Sequence, residues 1–226
     1  MGSVFLFEMT RKEFRELLDS GRLKAVVVPT GSSEQHNEHL AMITDTACAT
    51  VIAERAAKRL SPAVVVTTPV PIGYSEYWIT QENRAGTLTT RPEILQEIVF
   101  DVLRSLQRQA VKNILILNGH GGNAKPISSR LEEFIEKLGI NVAFHSYWDL
   151  IPQDVLKAVI KVGTMPGHAG EFETAIMLYL FPDRVRRSEI VYDEAKAATP
   201  EQGEKLVNAA VDGVVAVLEK MIAGPE

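Results

Sequence analysis

Four short runs of β-branched and aliphatic residues recur along the chain, each followed by a stretch with helical pattern, and this alternation constrains the fold more than any other feature. The runs are Lys24–Pro29 (KAVVVP), Ala63–Thr67, Asn113–Leu117 (NILIL) and Asn141–His145 (NVAFH). Each has the length of a buried strand and is far below the ~18 residues that span a bilayer. Helices are predicted between and after them. Thr10 and Glu13 spell a capping box for a helix to Asp19, closed by Gly21. Thr44 is placed to cap a helix over Asp45–Leu60. Thr90 and Glu93 repeat the box, with Pro92 in the first turn, for a helix to about Gln109. Further helices are predicted over Lys125–Leu138, stopped by Gly139, and over Gln153–Val162, Glu171–Leu180 and Glu201–Ile222. Strands that alternate with helices form βαβ units, so an α/β fold with a mostly parallel sheet covered on both faces is expected.

Composition narrows the class. Twenty-four Lys plus Arg against 29 Asp plus Glu give a net charge of −5, which argues against a protein that tracks nucleic-acid phosphates. The hydrophobic fraction of 46% is that of a globular chain. At 226 residues, without a linker-like stretch or repeat, residues 1–226 read as one domain. The single cysteine, Cys48, excludes an internal disulfide and a multi-thiolate zinc site. No targeting or membrane segment is seen, and a cytoplasmic location is expected.

Ligands of open parallel sheets bind beyond the carboxyl ends of the strands, and here those loops carry the chemistry. The first strand leads into TGSSEQHNEHLAMITD, with Glu34, His36, Glu38, His39 and Asp45. The second leads into a segment with Tyr74, Glu76, Tyr77, Trp78 and Arg84. The third leads into NGHGGN, with His120, and the fourth into HSYWD. His168 lies in the glycine-rich segment GHAGEFET. Imidazole nitrogen and carboxylate oxygen suit a first-row dication. Glu34 and His36 share a face of extended backbone, Asp45 enters at a helix start, and His120 arrives from the neighbouring loop. One aspartate between two dications is a common bridge, and such a pair activates a hydrolytic water. Zn, Mn and Fe(II) all suit this donor set. His39 reads as a supporting residue, while His145 and Cys48 read as packing. A rival reading takes NGHGGN as a phosphate cradle, although neither G-x-x-x-x-G-K-[ST] nor G-x-G-x-x-G occurs.

The motifs P29-T-G-S-S-E-Q-H36 with T44-D45, N118-G-H-G-G-N123 and G167-H-A-G-E-F-E-T174 resemble those of the creatininase (creatinine amidohydrolase) family. The resemblance runs from about residue 5 to about residue 190. It implies a three-layer αβα fold, two divalent metal ions per chain, hydrolysis of an amide carbon–nitrogen bond by a metal-activated water, and homo-oligomers, commonly hexamers. By the same resemblance Glu34 and His120 would hold one ion and His36 the other, with Asp45 shared. Glu173 would ligate the second ion or position its water. His168 would protonate the leaving nitrogen, as befits a side chain that titrates near neutrality. Trp148, Tyr77 and Trp78 are the aromatic candidates for substrate contact. Backbone N–H groups of Gly121 or Gly122 are candidates for polarising the carbonyl.

Two departures from the family pattern bear on substrate. Asn37 and Glu38 replace the Gly and Pro of the usual E-Q-H-G-P-H-L-P. Gly122 stands where creatinine-hydrolysing members carry a Glu, which leaves one carboxylate short and argues against creatinine. Relatives with the H-G-G-N form include deformylases of a formamidopyrimidine nucleotide in flavin and deazaflavin synthesis, and a peptide maturase. The expected activity is therefore that of a metal-dependent amidohydrolase on a small, non-peptide amide or formamide. The competing readings are such a deformylase, a non-catalytic nucleotide- or phosphate-binding module, and a metal-containing but silent subunit.

Overall fold

The structure is a computed structural model and describes residues 2–224. Strands β1 (Ala25–Thr30), β2 (Val64–Val66), β3 (Asn113–Asn118) and β4 (Asn141–Ser146) form one sheet in the order β2-β1-β3-β4. All three pairings are parallel. The helices are α1 (Arg11–Asp19), α2 (Thr44–Arg59), α3 (Glu76–Ile79), α4 (Pro92–Gln107), α5 (Gly121–Ser128), α6 (Leu131–Leu138), α7 (Gln153–Val159), α8 (Glu171–Leu180), α9 (Asp193–Lys196) and α10 (Pro200–Ala223).

The two-residue period of the strands sorts their side chains into two cores. Ala25, Val27, Val64, Val66, Leu115 and Leu117 pack with α2, α7, α8 and α10. Val26, Val28, Ile114, Ile116 and Val142 pack with α4, α5 and α6. The result is a sheet between two helical layers. Each fully buried aliphatic side chain contributes about 1.5–3 kcal/mol, and truncating Ile52 or Leu115, both wholly buried, costs about 2–5 kcal/mol.

Helix boundaries follow tertiary contacts where these compete with local signals. The Thr10–Glu13 box forms as its sequence predicts. At Thr90 it does not: the Thr90 N–H donates to the Gly73 carbonyl, and Arg91 caps α4 without a side-chain bond. Thr44 is the first residue of α2 and its hydroxyl donates back to the Ala41 carbonyl. The helix expected from Lys125 to Leu138 is two helices. The Pro126 carbonyl is taken by the Gln96 amide and the Ser129 hydroxyl, and the Arg130 N–H turns to Ile127 instead.

This topology creates the crevice. From β1 the chain crosses through α2 to β2 on one side, while β3 lies on β1's other side. The loops leaving β1 and β3 therefore part at the carboxyl edge, which is where such sheets bind ligands.

Candidate metal centre and catalytic cavity

Five side chains from four places in the chain meet at that edge. Glu34 and His36 come from the loop after β1, Asp45 from the first turn of α2, His120 from the end of β3, and Glu173 from the first turn of α8. All five are buried. One ligand atom each from Glu34, Asp45 and His120 lies within 4.8 Å of the others, and the same holds for His36, Asp45 and Glu173. Asp45 belongs to both sets. Its Oδ1 is 2.9 Å from His36 Nε2, and its Oδ2 is 3.0 Å from His120 Nδ1. Glu34 Oε1 is 3.4 Å from His120 Nδ1, and Glu173 Oε2 is 3.8 Å from His36 Nε2.

The two histidines are oriented by the same device. His36 Nδ1 donates to the Glu34 carbonyl at 3.1 Å, and His120 Nε2 donates to the Tyr74 carbonyl at 3.0 Å. Each ring thus turns its remaining nitrogen toward carboxylates, the arrangement that presents a lone pair to a cation. Burial alone would lower both imidazole pKa values, but the carboxylates outweigh it and hold each at about 10 without metal. Burial likewise opposes the ionised form of Asp45, yet His36 and His120 hold its carboxyl well below the usual range. Glu34 Oε2 is buried with no hydrogen-bond partner, and Asp45 Oδ2 has His120 Nδ1 beside it at 3.0 Å. Three carboxylates, two inward imidazole nitrogens and the orphaned Glu34 oxygen form a donor set that fits divalent cations. The same carboxylates count against a phosphate cradle at this loop.

Two asparagines and a glycine hold the frame. Asn118 donates to the His120 carbonyl at 2.7 Å and accepts from the His120 N–H and the Thr30 hydroxyl. Asn123 accepts from the Tyr74 N–H and donates to the Gly31 carbonyl, both at 2.9 Å, tying the loops after β1 and β2 together. A Cβ at Gly122 would stand 2.1 Å from the Tyr74 carbonyl oxygen and 2.5 Å from His120 Nε2. That position therefore has no room for any side chain, acidic or otherwise. Asn37, in place of the motif's glycine, adopts φ 53°, a left-handed conformation that Asn tolerates better than most residues.

A cavity of about 190 Å³ opens onto the centre, walled by Trp78, Trp148, Gly119–Gly122, Pro166, Gly167, His168 and Glu173. His168 is held between two rings, with Trp78 stacked at 3.9 Å and His36 at 4.5 Å. Its Nδ1 lies 3.7 Å from Glu34 Oε1. Burial, reinforced by His36, pushes its pKa down to about 3. Burial also pushes the Glu173 carboxyl up to about 7, against the pull of His36; Glu173 Oε2 accepts from the Ala169 N–H at 2.6 Å. Tyr77 stands apart: it is 66% exposed and meets only the edge of Trp78 among aromatic rings. His39 is buried against Thr174, its Nε2 3.0 Å from the hydroxyl, and His145 is only half-buried on β4.

Sequence reasoning passed over Gln35 and Ser75, and noted Tyr74 only as a residue of the loop after β2. Gln35 reaches His168, while the Tyr74 carbonyl and the Ser75 hydroxyl both contact His120 Nε2. Gln35 sits between two picked residues, and alternation in extended backbone aims it away from them. Tyr74 acts through its carbonyl, which no residue type announces. Glu171, adjacent to the site in sequence, is a structural anchor: it accepts from the Lys161 and Val162 N–H groups and the Gln202 amide.

Comparison with known proteins agrees with this geometry. Residues 7–196 match the creatininase family, described as creatinine amidohydrolase. A creatinine amidohydrolase of Pseudomonas putida is 27% identical over 94% of this chain and 95% of its own length. A mycofactocin precursor peptide peptidase of Mycolicibacterium smegmatis is 31% identical over 88% of this chain and 73% of its own. A solved manganese form of creatininase superposes with a TM-score of 0.86 at 27% identity, covering 99% of this chain and all of the other; a zinc–zinc form gives the same score and identity.

Proposed function

The chain belongs to the creatininase family, and on that premise we propose that it is a metal-dependent amidohydrolase that cleaves a carbon–nitrogen bond in a small cyclic amide or formamide. The observation that carries this reading is Asp45, whose two oxygens serve two separate donor sets. Two divalent ions, Zn, Mn or Fe, would be held, one by Glu34, His120 and Asp45, the other by His36, Glu173 and Asp45. When bound, such ions lower the pKa of a water and polarise a carbonyl.

The chain's own residues supply the rest. Trp148 and Trp78 wall the cavity against a flat substrate and exclude water. Backbone N–H groups of Gly121 and Gly122, at the start of α5, line the same cavity and offer donors to the carbonyl oxygen as it gains charge. Hydrolysis moves one proton from water to the leaving nitrogen. Glu173 and His168, which both line the cavity, are the side chains placed to carry it, with His168 Nδ1 facing the amide.

The cavity at the centre, about 190 Å³, fits a small amide group, and an adjoining cavity of about 480 Å³ that shares Trp78 and His168 has room for the rest of a larger substrate. The closed position at Gly122 disfavours creatinine, because no carboxylate can be supplied there, and favours as second reading a formamidopyrimidine-nucleotide deformylase. A hydrolysis screen of metal-replete protein against creatinine, cyclic ureides, formamides and short peptides tests the proposal. Turnover of a small amide or formamide is expected; turnover of peptides alone would overturn it. We place the protein in the cytoplasm as a single-domain homo-oligomer, a hexamer by family resemblance. The lone free Cys48 fits the first, and the exposed Tyr77, Val191 and Tyr192 offer surface for the second. Among the described residues no helix is long and apolar enough to cross a membrane.

A further inference from the structure

We infer that Gln35 fixes the tautomer and orientation of His168, with a ring proton on Nδ1 facing the cavity, so that Gln35 positions the donor that His168 offers to substrate. Gln35 is buried, and both ends of its amide are committed. The Asn37 N–H donates to Gln35 Oε1 at 2.9 Å, and only the oxygen can accept that bond. The amide nitrogen is thereby turned toward His168 Nε2, 3.2 Å away. An amide nitrogen has hydrogens and no usable lone pair, so His168 Nε2 must be the acceptor and the ring proton must sit on Nδ1.

The surroundings hold this arrangement. The Gln35 N–H donates to the Thr87 hydroxyl at 3.1 Å. Asn37, with φ 53°, folds its own N–H back onto the amide oxygen. The His168 ring cannot turn over freely, because Trp78 and His36 flank it at 3.9 and 4.5 Å. Nδ1 then points its proton toward the Glu34 side of the cavity, where the amide would sit.

Two consequences follow. First, Glu34, His36 and His168 also present ligand atoms within 4.8 Å of one another, but a protonated Nδ1 cannot ligate a cation, so His168 stands outside the metal set. Second, the Nδ1–H is the donor that faces the cavity, and it meets the atom of the substrate where negative charge develops. This catalytic half rests on the hydrolase reading; the tautomer does not. Gln35 is a positioning residue, acting through His168.

The experiment is ¹⁵N NMR of the histidine side chains in zinc-loaded protein, with the His168 signals identified by their loss in His168→Asn. The expected spectrum has a protonated, pyrrole-type Nδ1 and an unprotonated, pyridine-type Nε2. In Gln35→Glu the carboxylate still accepts from Asn37 but cannot donate, so the proton should move to Nε2. In Gln35→Met, which can neither donate nor accept, the single tautomer should be lost. Zinc content should be unchanged in both. A wild-type ring protonated at Nε2, or variants with the wild-type pattern, would overturn the inference. On an amide found by the hydrolysis screen, Gln35→Glu should lower kcat by about 10²–10³-fold, the effect of removing one donor to developing charge, with KM little altered. The wild-type tautomer with no amide turnover would count against the hydrolase alone. Turnover with the opposite tautomer would count against Gln35 alone.

Discussion

Gly122→Ala should damage both the fold and the metal centre through a single methyl group. The added Cβ would stand 2.1 Å from the Tyr74 carbonyl oxygen and 2.5 Å from His120 Nε2. Both must retreat by about 1 Å to reach ordinary contact. The displaced atoms are the two partners of the hydrogen bond that orients His120, 3.0 Å long in the native chain. Overpacking costs about 1–3 kcal/mol and the lost bond about 0.5–1.5 kcal/mol. Together these make roughly 2–4 kcal/mol, a fall in Tm of about 5–15 °C for a chain of this size. Loss of a partner that orients a metal-binding histidine typically costs 10–100-fold in affinity. Gly121→Ala is the control, since nothing lies within 4 Å of its added Cβ, and it should stay within about 0.5 kcal/mol of the native protein. Thermal unfolding in chelator and zinc titration of both variants provide the assay. If Gly122→Ala matched Gly121→Ala in Tm and zinc affinity, the packing argument would be refuted, and with it the claim that this position admits no carboxylate.

Asp45→Asn should remove most bound metal and all turnover, because one residue serves both donor sets; elemental analysis of the purified variant checks this. His168→Ala should keep full metal content and lose about 10²–10³ in kcat, and a loss of metal would place it among the ligands instead. Metal-free protein should weaken as pH rises. His36 and His120 hold their protons to about 10 when folded, against 6.5 when unfolded, so the folded state binds more protons between those values. Their contribution is whole below pH 6.5 and lost toward pH 10. Glu173, raised from 4.5 to about 7, adds the same sign at lower pH, while His168, depressed to about 3, opposes it below pH 6.5. Urea unfolding in chelator at pH 7 and pH 9.5 should show lower stability at the higher pH, and equal values would contradict the charge assignments.

The strands were legible because burial on both faces leaves only apolar residues to choose from, as in Ala25–Val28 and Ile114–Leu117. The candidate site was legible because histidine and carboxylate are conspicuous in loops that follow strands. Less visible were features that depend on distant chain. The helix α5 begins on two glycines of poor helical propensity, where the asparagines on either side hold the backbone to other loops. Thr90 has the local signature of a cap, yet its N–H is claimed by Gly73. The crowding at Gly122 arises from Tyr74, 48 positions earlier, and nothing in the local motif announces it. Gln35 is the instructive case: its neighbours Glu34 and His36 attract notice by type, while an amide gains meaning only once His168 is seen against it.

The account turns on whether Asp45 joins two cations. Diffraction from zinc-loaded crystals, recorded at the zinc absorption edge, measures that directly. Two anomalous peaks per chain are predicted, one beside Glu34 and His120, the other beside His36 and Glu173, with Asp45 between them. Peaks elsewhere, or none at these side chains, would contradict it.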